Sequence, residues 1–222
     1  MIEPYIELDD VSFAYKKDAP VIGGLSLQLY REQFTAITGP NGSGKTTLGK
    51  LMTGILRPQI GRIFICGRDS TEMKLGEIGQ RIGYLFQNPG LQIFAPSVRE
   101  EISFALELKG EDKGEIQEKV SRSLKDFDLS HLADAFPFRL SRGEQQRLAI
   151  AAVLINSPGF LILDEPTTGL DMERRRALSE ILAGLRNKGI GMAVISHDRA
   201  FISRLADRTI RMYGGEIVED RT

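Results

Sequence analysis

The eight residues GPNGSGKT, Gly39 to Thr46, constrain this chain more than any other stretch. They match the pattern G-x-x-x-x-G-K-[ST] and follow the apolar run FTAIT, Phe34 to Thr38. They lead into KTTLGKLMTGIL, whose apolar spacing is helical and which Pro58 is expected to close. Strand, glycine turn and helix in this order make a phosphate loop. Gly42 and Gly44 let the backbone curl so that successive N–H groups face one anion. Lys45 then neutralises charge on the β- and γ-phosphates, and Thr46 offers a hydroxyl to Mg²⁺. The expected nucleotide contacts run from Gly39 through Pro40, Asn41, Gly42, Ser43, Gly44, Lys45 and Thr46 to Thr47.

A second stretch, FLILDEP, has four apolar residues, Phe160 to Leu163, that suit a strand buried on both faces. Asp164 and Glu165 fall where that strand emerges, at the carboxyl edge where open α/β sheets bind ligands. Asp164 is placed to hold Mg²⁺ and Glu165 to orient or deprotonate the attacking water. Gln87 follows RIGYLF and His197 follows GMAVIS, so both can reach the same edge and register a γ-phosphate. Gln87 joins Thr46 and Asp164 as an expected Mg²⁺ ligand. Tyr15, in FAYKK, either stacks on adenine or fills the core. His131 has no such context and no assigned role.

Alternation of strand and helix patterns outside the middle implies a mainly parallel sheet covered by helices. From Val98 to about Ile155 the pattern is mostly helical. The expected architecture is α/β: a P-loop NTPase core, an N-terminal antiparallel β subdomain and an inserted α-helical subdomain. All 222 residues form one domain, with 1–97 and 158–222 as the core and 98–157 as the helical part. RTIRMYGGEIVED reads as a terminal hairpin around Gly214 and Gly215. The formal net charge of -1 carries no basic excess, so no nucleic-acid partner is expected. Cys66, the one cysteine, excludes an internal disulfide and reads as core filler within RIFIC. The start MIEPYIELDD lacks a basic, apolar leader, and no apolar run approaches the roughly 20 residues that span a bilayer. A cytoplasmic location is expected.

The stretch FRLSRGEQQRLAIAAVL, Phe138 to Leu154, contains a second helix start, at Ser141, Arg142 and Gly143. Helix starts are anion sites because their first N–H groups lack internal partners. Together, GPNGSGKTT, Gln87, LSRGEQQR, FLILDEP, TGLD and His197 resemble the ATP-binding cassette family of ATPases over essentially the whole chain. LSRGE, comprising Leu140, Ser141, Arg142, Gly143 and Glu144, corresponds to the family signature LSGGQ; Arg142 replaces a glycine and Glu144 the glutamine. The resemblance implies ATP hydrolysis with Mg²⁺ and a second ATPase subunit, identical or paralogous, in a head-to-tail dimer. It implies that the signature turn of one subunit closes on γ-phosphate held by the other. It puts Asp171, in TGLD, at the dimer seam, Tyr15 on adenine and His197 on γ-phosphate.

FQNPGLQIFAPSVREEISFAL is similar to the ATPases of energy-coupling factor transporters, which import vitamins and cobalt or nickel ions. Asn88, Pro89, Gln92, Ile93 and Phe94 fit, while Gly90 and Leu91 stand where acidic residues are usual. This likeness implies a transmembrane coupling subunit and a substrate-capture membrane protein as partners, and a place on the cytoplasmic face of the membrane. Many such relatives also carry an additional C-terminal domain; because this chain stops soon after the terminal hairpin, a short form is expected. Two other readings are a cassette ATPase acting on nucleic acid or chromosomes, and an ordinary phosphate-loop kinase or GTPase. The first usually carries long coiled coils or paired cassettes; the second leaves LSRGEQQR and TGLD without a purpose.

Overall fold

The computed structural model describes residues 3–17 and 19–222. In chain order, β1 (Ile6–Lys16), β2 (Ala19–Leu29) and β3 (Phe34–Thr38) lead to α1 (Lys45–Met52). β4 (Ile60–Ile65), β5 (Arg68–Asp69), α2 (Leu75–Arg81) and β6 (Ile82–Leu85) follow. Three helices come next: α3 (Val98–Leu108), α4 (Lys113–Asp126) and α5 (Arg142–Leu154). Then come β7 (Phe160–Asp164), α6 (Met172–Asn187), β8 (Gly191–Ile195), α7 (Arg199–Leu205), β9 (Arg208–Tyr213) and β10 (Glu216–Arg221).

The strands form two sheets. One is antiparallel with the order β2-β1-β4-β5. The other has the order β10-β9-β3-β8-β7-β6; it is parallel throughout except for β10, which closes one edge as an antiparallel hairpin with β9. The parallel sheet is a wall between two apolar cores, and the period of two along its strands decides which residue enters which. In β7, Leu161 and Leu163 join the core shared with α3, α4, α5 and α6, while Phe160 and Ile162 join the core under the antiparallel sheet and α1. In β8, Met192 and Val194 go one way, Ala193 and Ile195 the other. Each large side chain so buried stabilises the fold by about 1.5–3 kcal/mol. The helical segment shares its core with the sheet, through Phe34, Leu85, Leu161 and Leu163.

Side-chain caps explain where most helices begin. Ser97 accepts from Glu100 N at 3.2 Å, Asp112 from Gly114 N at 2.8 Å and Asp198 from Phe201 N at 3.0 Å, before α3, α4 and α7. α1 has no such cap; its N-cap is Gly44 in the left-handed region, φ 96°. That helix stops at Met52, earlier than expected, because Gly54 turns left-handed (φ 71°) before Pro58 is reached. α5 opens at Arg142, within the turn where the sequence placed the helix start. Cys66 is exposed, contrary to its reading as core, because the chain leaves β4 there in a left-handed turn, φ 51°. α2 had no separate reading in the sequence: LGEIGQR buries one side chain, Ile78, too little for a visible helical stripe.

Candidate active site

The carboxyl ends of β3, β7 and β8 and the start of α1 enclose a cavity of about 330 Å³. Asn41, Gly42, Gly44, Lys45, Thr46 and Thr47 line it, together with Gln87, Asp164, Glu165 and His197. Residues from four separate stretches of the sequence thus meet at one sheet edge. Val21, from β2, and Ile195, the last residue of β8, complete the lining. Neither carries a motif, so neither was legible in the sequence.

Glycine is required in the loop on steric grounds. A Cβ on Gly44 would lie 2.9 Å from Val21 O, and one on Gly39 would lie 2.2 Å from Met212 O. Gly215, in the terminal hairpin, donates from its N–H to Ser43 O at 3.2 Å, which ties that hairpin to the loop. Lys45 is buried and folds over its own loop, donating from Nζ to Gly39 O and Pro40 O, each at 2.8 Å. Burial pulls its ammonium below the ordinary lysine range, against the opposing charges of Glu165 and Asp164.

Asp164 ends β7 on the same face as Ile162, toward α1, and is 1% exposed. Burial raises its carboxyl above the ordinary range, opposed by the hydroxyls of Thr46 and Tyr84 and by the Lys45 charge. Tyr84 OH lies 3.4 Å from Asp164 Oδ2. No sequence motif pointed to Tyr84; only strand pairing brings it there. Glu165 has a left-handed backbone, φ 50°, which costs a non-glycine residue about 1–2 kcal/mol. Its N–H bonds to Ile195 O at 2.8 Å, which holds the turn in place. Burial raises the Glu165 carboxyl too, with His197 opposing. His197 Nε2 stands 2.9 Å from Glu165 Oε1.

The donor set suits a hard divalent cation. Asp164 Oδ1 and Glu165 Oε1 are buried without an aligned hydrogen-bond donor, and the Thr46 hydroxyl and the Gln87 amide line the same cavity. Among the described residues no cluster of three His, Cys, Asp or Glu side chains forms a closed metal cage. The oxygen donors named here suit an ion such as Mg²⁺, which keeps waters and shares substrate phosphates.

Tyr15 is 57% exposed, which excludes the core reading. Its ring packs edge-on against Phe13, and its OH lies 3.4 Å from Thr47 Oγ1, beside the phosphate loop.

The signature residues, Leu140 to Glu144, do not line this cavity. Ser141 caps α5 in a reciprocal box. Its N–H and its hydroxyl each contact Glu144 Oε2 at 2.7 Å, and Glu144 N lies 3.4 Å from Ser141 Oγ. The next two side chains anchor the helix. Gln145 donates to Pro137 O, and Gln146, buried, donates to Pro166 O at 3.2 Å, one residue past Glu165. Asp171 caps α6, accepting from Arg174 N at 2.9 Å.

A model of the ABC transporter family matches residues 22–168. The chain is 38% identical over 219 residues to the energy-coupling factor transporter ATP-binding protein EcfA of Methanothermobacter thermautotrophicus, covering 98% of this chain and 70% of that protein. The fold superposes on cbiO1 from Clostridium perfringens, described as part of the ABC transporter complex cbiONQ, with a TM-score of 0.88 and 30% identity. That match covers 98% of this chain and 88% of the other. It also superposes on the ATP-binding cassette MJ0796, solved as a dimer bound to ADP and Pi, with a TM-score of 0.87, 25% identity and 98% coverage of each chain. The chain therefore belongs to the ABC transporter family and is an ATP-binding cassette ATPase.

Proposed function

We propose that this chain is the ATP-hydrolysing subunit of an energy-coupling factor-type importer of a vitamin or a transition-metal ion. It works as one of a pair of cassettes, identical or paralogous, on the cytoplasmic face of a membrane. The observation that carries the reading is the meeting of Lys45, Thr46, Gln87, Asp164, Glu165 and His197 around one cavity. The signature turn lies outside that cavity, which suits its use by a neighbouring subunit. The cassette is read as one domain, with 98–157 as its signature-bearing helical part.

The phosphate-loop amides and Lys45 bind the β- and γ-phosphates of ATP, and Lys45 exchanges its loop carbonyls for phosphate oxygens. Tyr15 stacks on the adenine. Thr46, Asp164 and Gln87 would hold Mg²⁺, which supplies charge neutralisation on the phosphates. Glu165 takes the proton of the attacking water; its raised carboxyl is matched to that task. His197 steadies Glu165 and reaches for the γ-phosphate. Ser141 and Gly143 of one subunit cap the triphosphate held by the other, and Asp171 sits at the seam. ATP that bridges two subunits favours the closed pair, and phosphate loss removes the preference.

Among the described residues no helix is long and apolar enough to cross a membrane, so transport needs membrane partners. Exposed Leu91, Phe94 and Phe104 after Gln87 support a contact with the coupling subunit; Phe94 and Phe104 pack edge to face with centroids 4.6 Å apart. The substrate-capture protein selects the cargo. Glu165→Gln with ATP is expected to accumulate dimers on size exclusion, and the wild-type chain is expected to co-purify with an integral membrane protein. Normal turnover by Glu165→Gln would remove Glu165 from the role of base.

A further inference from the structure

Two arginines cross between the signature turn and the segment that begins with TGLD: Arg142 lies on Gly169, and Arg174, in the first turn of α6, lies on Gly143. The Arg142 stem and guanidinium pass over Gly169: a Cβ built there would meet Arg142 Cδ and Nε at 3.0 Å. Gly169 is left-handed, φ 79°, a backbone conformation that side chains rarely adopt. In return, Arg174 passes over Gly143: a Cβ there would meet Arg174 Cδ at 3.0 Å and Nε at 3.1 Å. The same Arg174 ends in an ion pair, Nη1 to Asp171 Oδ2 at 2.9 Å. Asp171 is thus held by the arginine that rests on the signature glycine.

We infer that Arg142 and Arg174 form a clasp that makes the signature turn and the TGLD loop one rigid unit. Arg142 is a positioning residue of this clasp. Arginine suits the place because its planar head and apolar stem pack flat on bare backbone, which a flexible lysine does less well. A glycine at position 142 would leave the TGLD loop uncovered. The functional consequence rests on the dimer reading above. The two elements offered to a neighbouring subunit, the Ser141 turn and the Asp171 seam, then arrive together. Closure at one nucleotide is thereby transmitted to the loop that follows Glu165, and so to the other nucleotide.

Hydrogen exchange on the nucleotide-free single chain tests the clasp without depending on dimer closure. R142G is expected to raise exchange at amides 168–171 about five- to tenfold, with R142K restoring part of the protection. R174A is expected to do the same at amides 142–145. Unchanged exchange in both variants would overturn the clasp. The ATP dependence of turnover then tests its consequence. R142G is expected to lower the Hill coefficient relative to the wild-type chain, whereas an undiminished coefficient would overturn the coupling. A drop in ATP affinity of the single chain with unchanged exchange would also overturn it, since that would make Arg142 a phosphate contact. E165Q is assayed in parallel: failure to trap a dimer would defeat the dimer reading while leaving the exchange result intact.

Discussion

The starts of α1 and α5 are both helix N-termini suited to anions, but they are finished differently. At α1 no side chain caps the helix, which opens on left-handed Gly44, so the first N–H groups of the helix stay available. The positive group is buried and already aimed inward, since Lys45 bonds to two carbonyls of its own loop. At α5 the helix is capped from within, by Ser141 and by a carboxylate, Glu144. On the function proposed, one start is an open cradle that would hold a phosphate unaided. The other is closed by its own side chains and, on the function proposed, would exchange part of that cap for a neighbour's phosphate. On that reading the difference would separate tight binding from conditional closure.

The strongest way to break the comparison is at Glu165, the proposed base beside the cradle. Glu165→Gln is expected to lower turnover about 10²–10⁴-fold, measured as phosphate release at saturating ATP. Lys45→Ala removes the buried cation from α1 and is expected to weaken ATP binding about 10–100-fold, measured calorimetrically on the single chain. The corresponding change at α5, Ser141→Ala, is expected to cost about 1 kcal/mol of stability by denaturant titration. If Ser141→Ala weakened single-chain ATP binding as much as Lys45→Ala does, the two starts would not be distinct.

The smallest effect is a pH dependence confined to α5. Hydrogen bonds from the Ser141 hydroxyl, then from its N–H, hold the Glu144 carboxyl below the ordinary glutamate range. The folded state therefore binds that proton less readily than the unfolded state. Its contribution is complete above the ordinary glutamate range and is lost as pH falls through the lowered value. The difference in melting temperature between wild type and Glu144→Ala is expected to shrink over that interval, because protonation already opens the box. A difference that grew on acidification would contradict the cap.

Much of the site was legible because its chemistry is local. The phosphate loop needs its glycines and lysine in consecutive positions, so GPNGSGKT announced both the turn and the ligand. FLILDEP placed two carboxylates at a strand end by the same logic. Cys66 misled because RIFIC reads as an unbroken strand, and a left-handed turn at its last residue has no composition signal. Tyr15 could not be decided from spacing, because alternation does not say which side of a two-sheet domain faces solvent. The early end of α1 was hidden because Gly54, inside an otherwise helical pattern, looked tolerable until its backbone conformation was seen.

What the amino-acid order determined by itself was the family, the strand–helix alternation and the polar residues of the cavity, because each depends on near neighbours in the chain. Only the tertiary structure decided what those residues touch. Tyr84 reaches Asp164, the terminal hairpin braces Ser43, and two arginines cross over two glycines. Such contacts join residues tens of positions apart, and they arise from sheet order and helix packing, which leave no periodic trace along the chain.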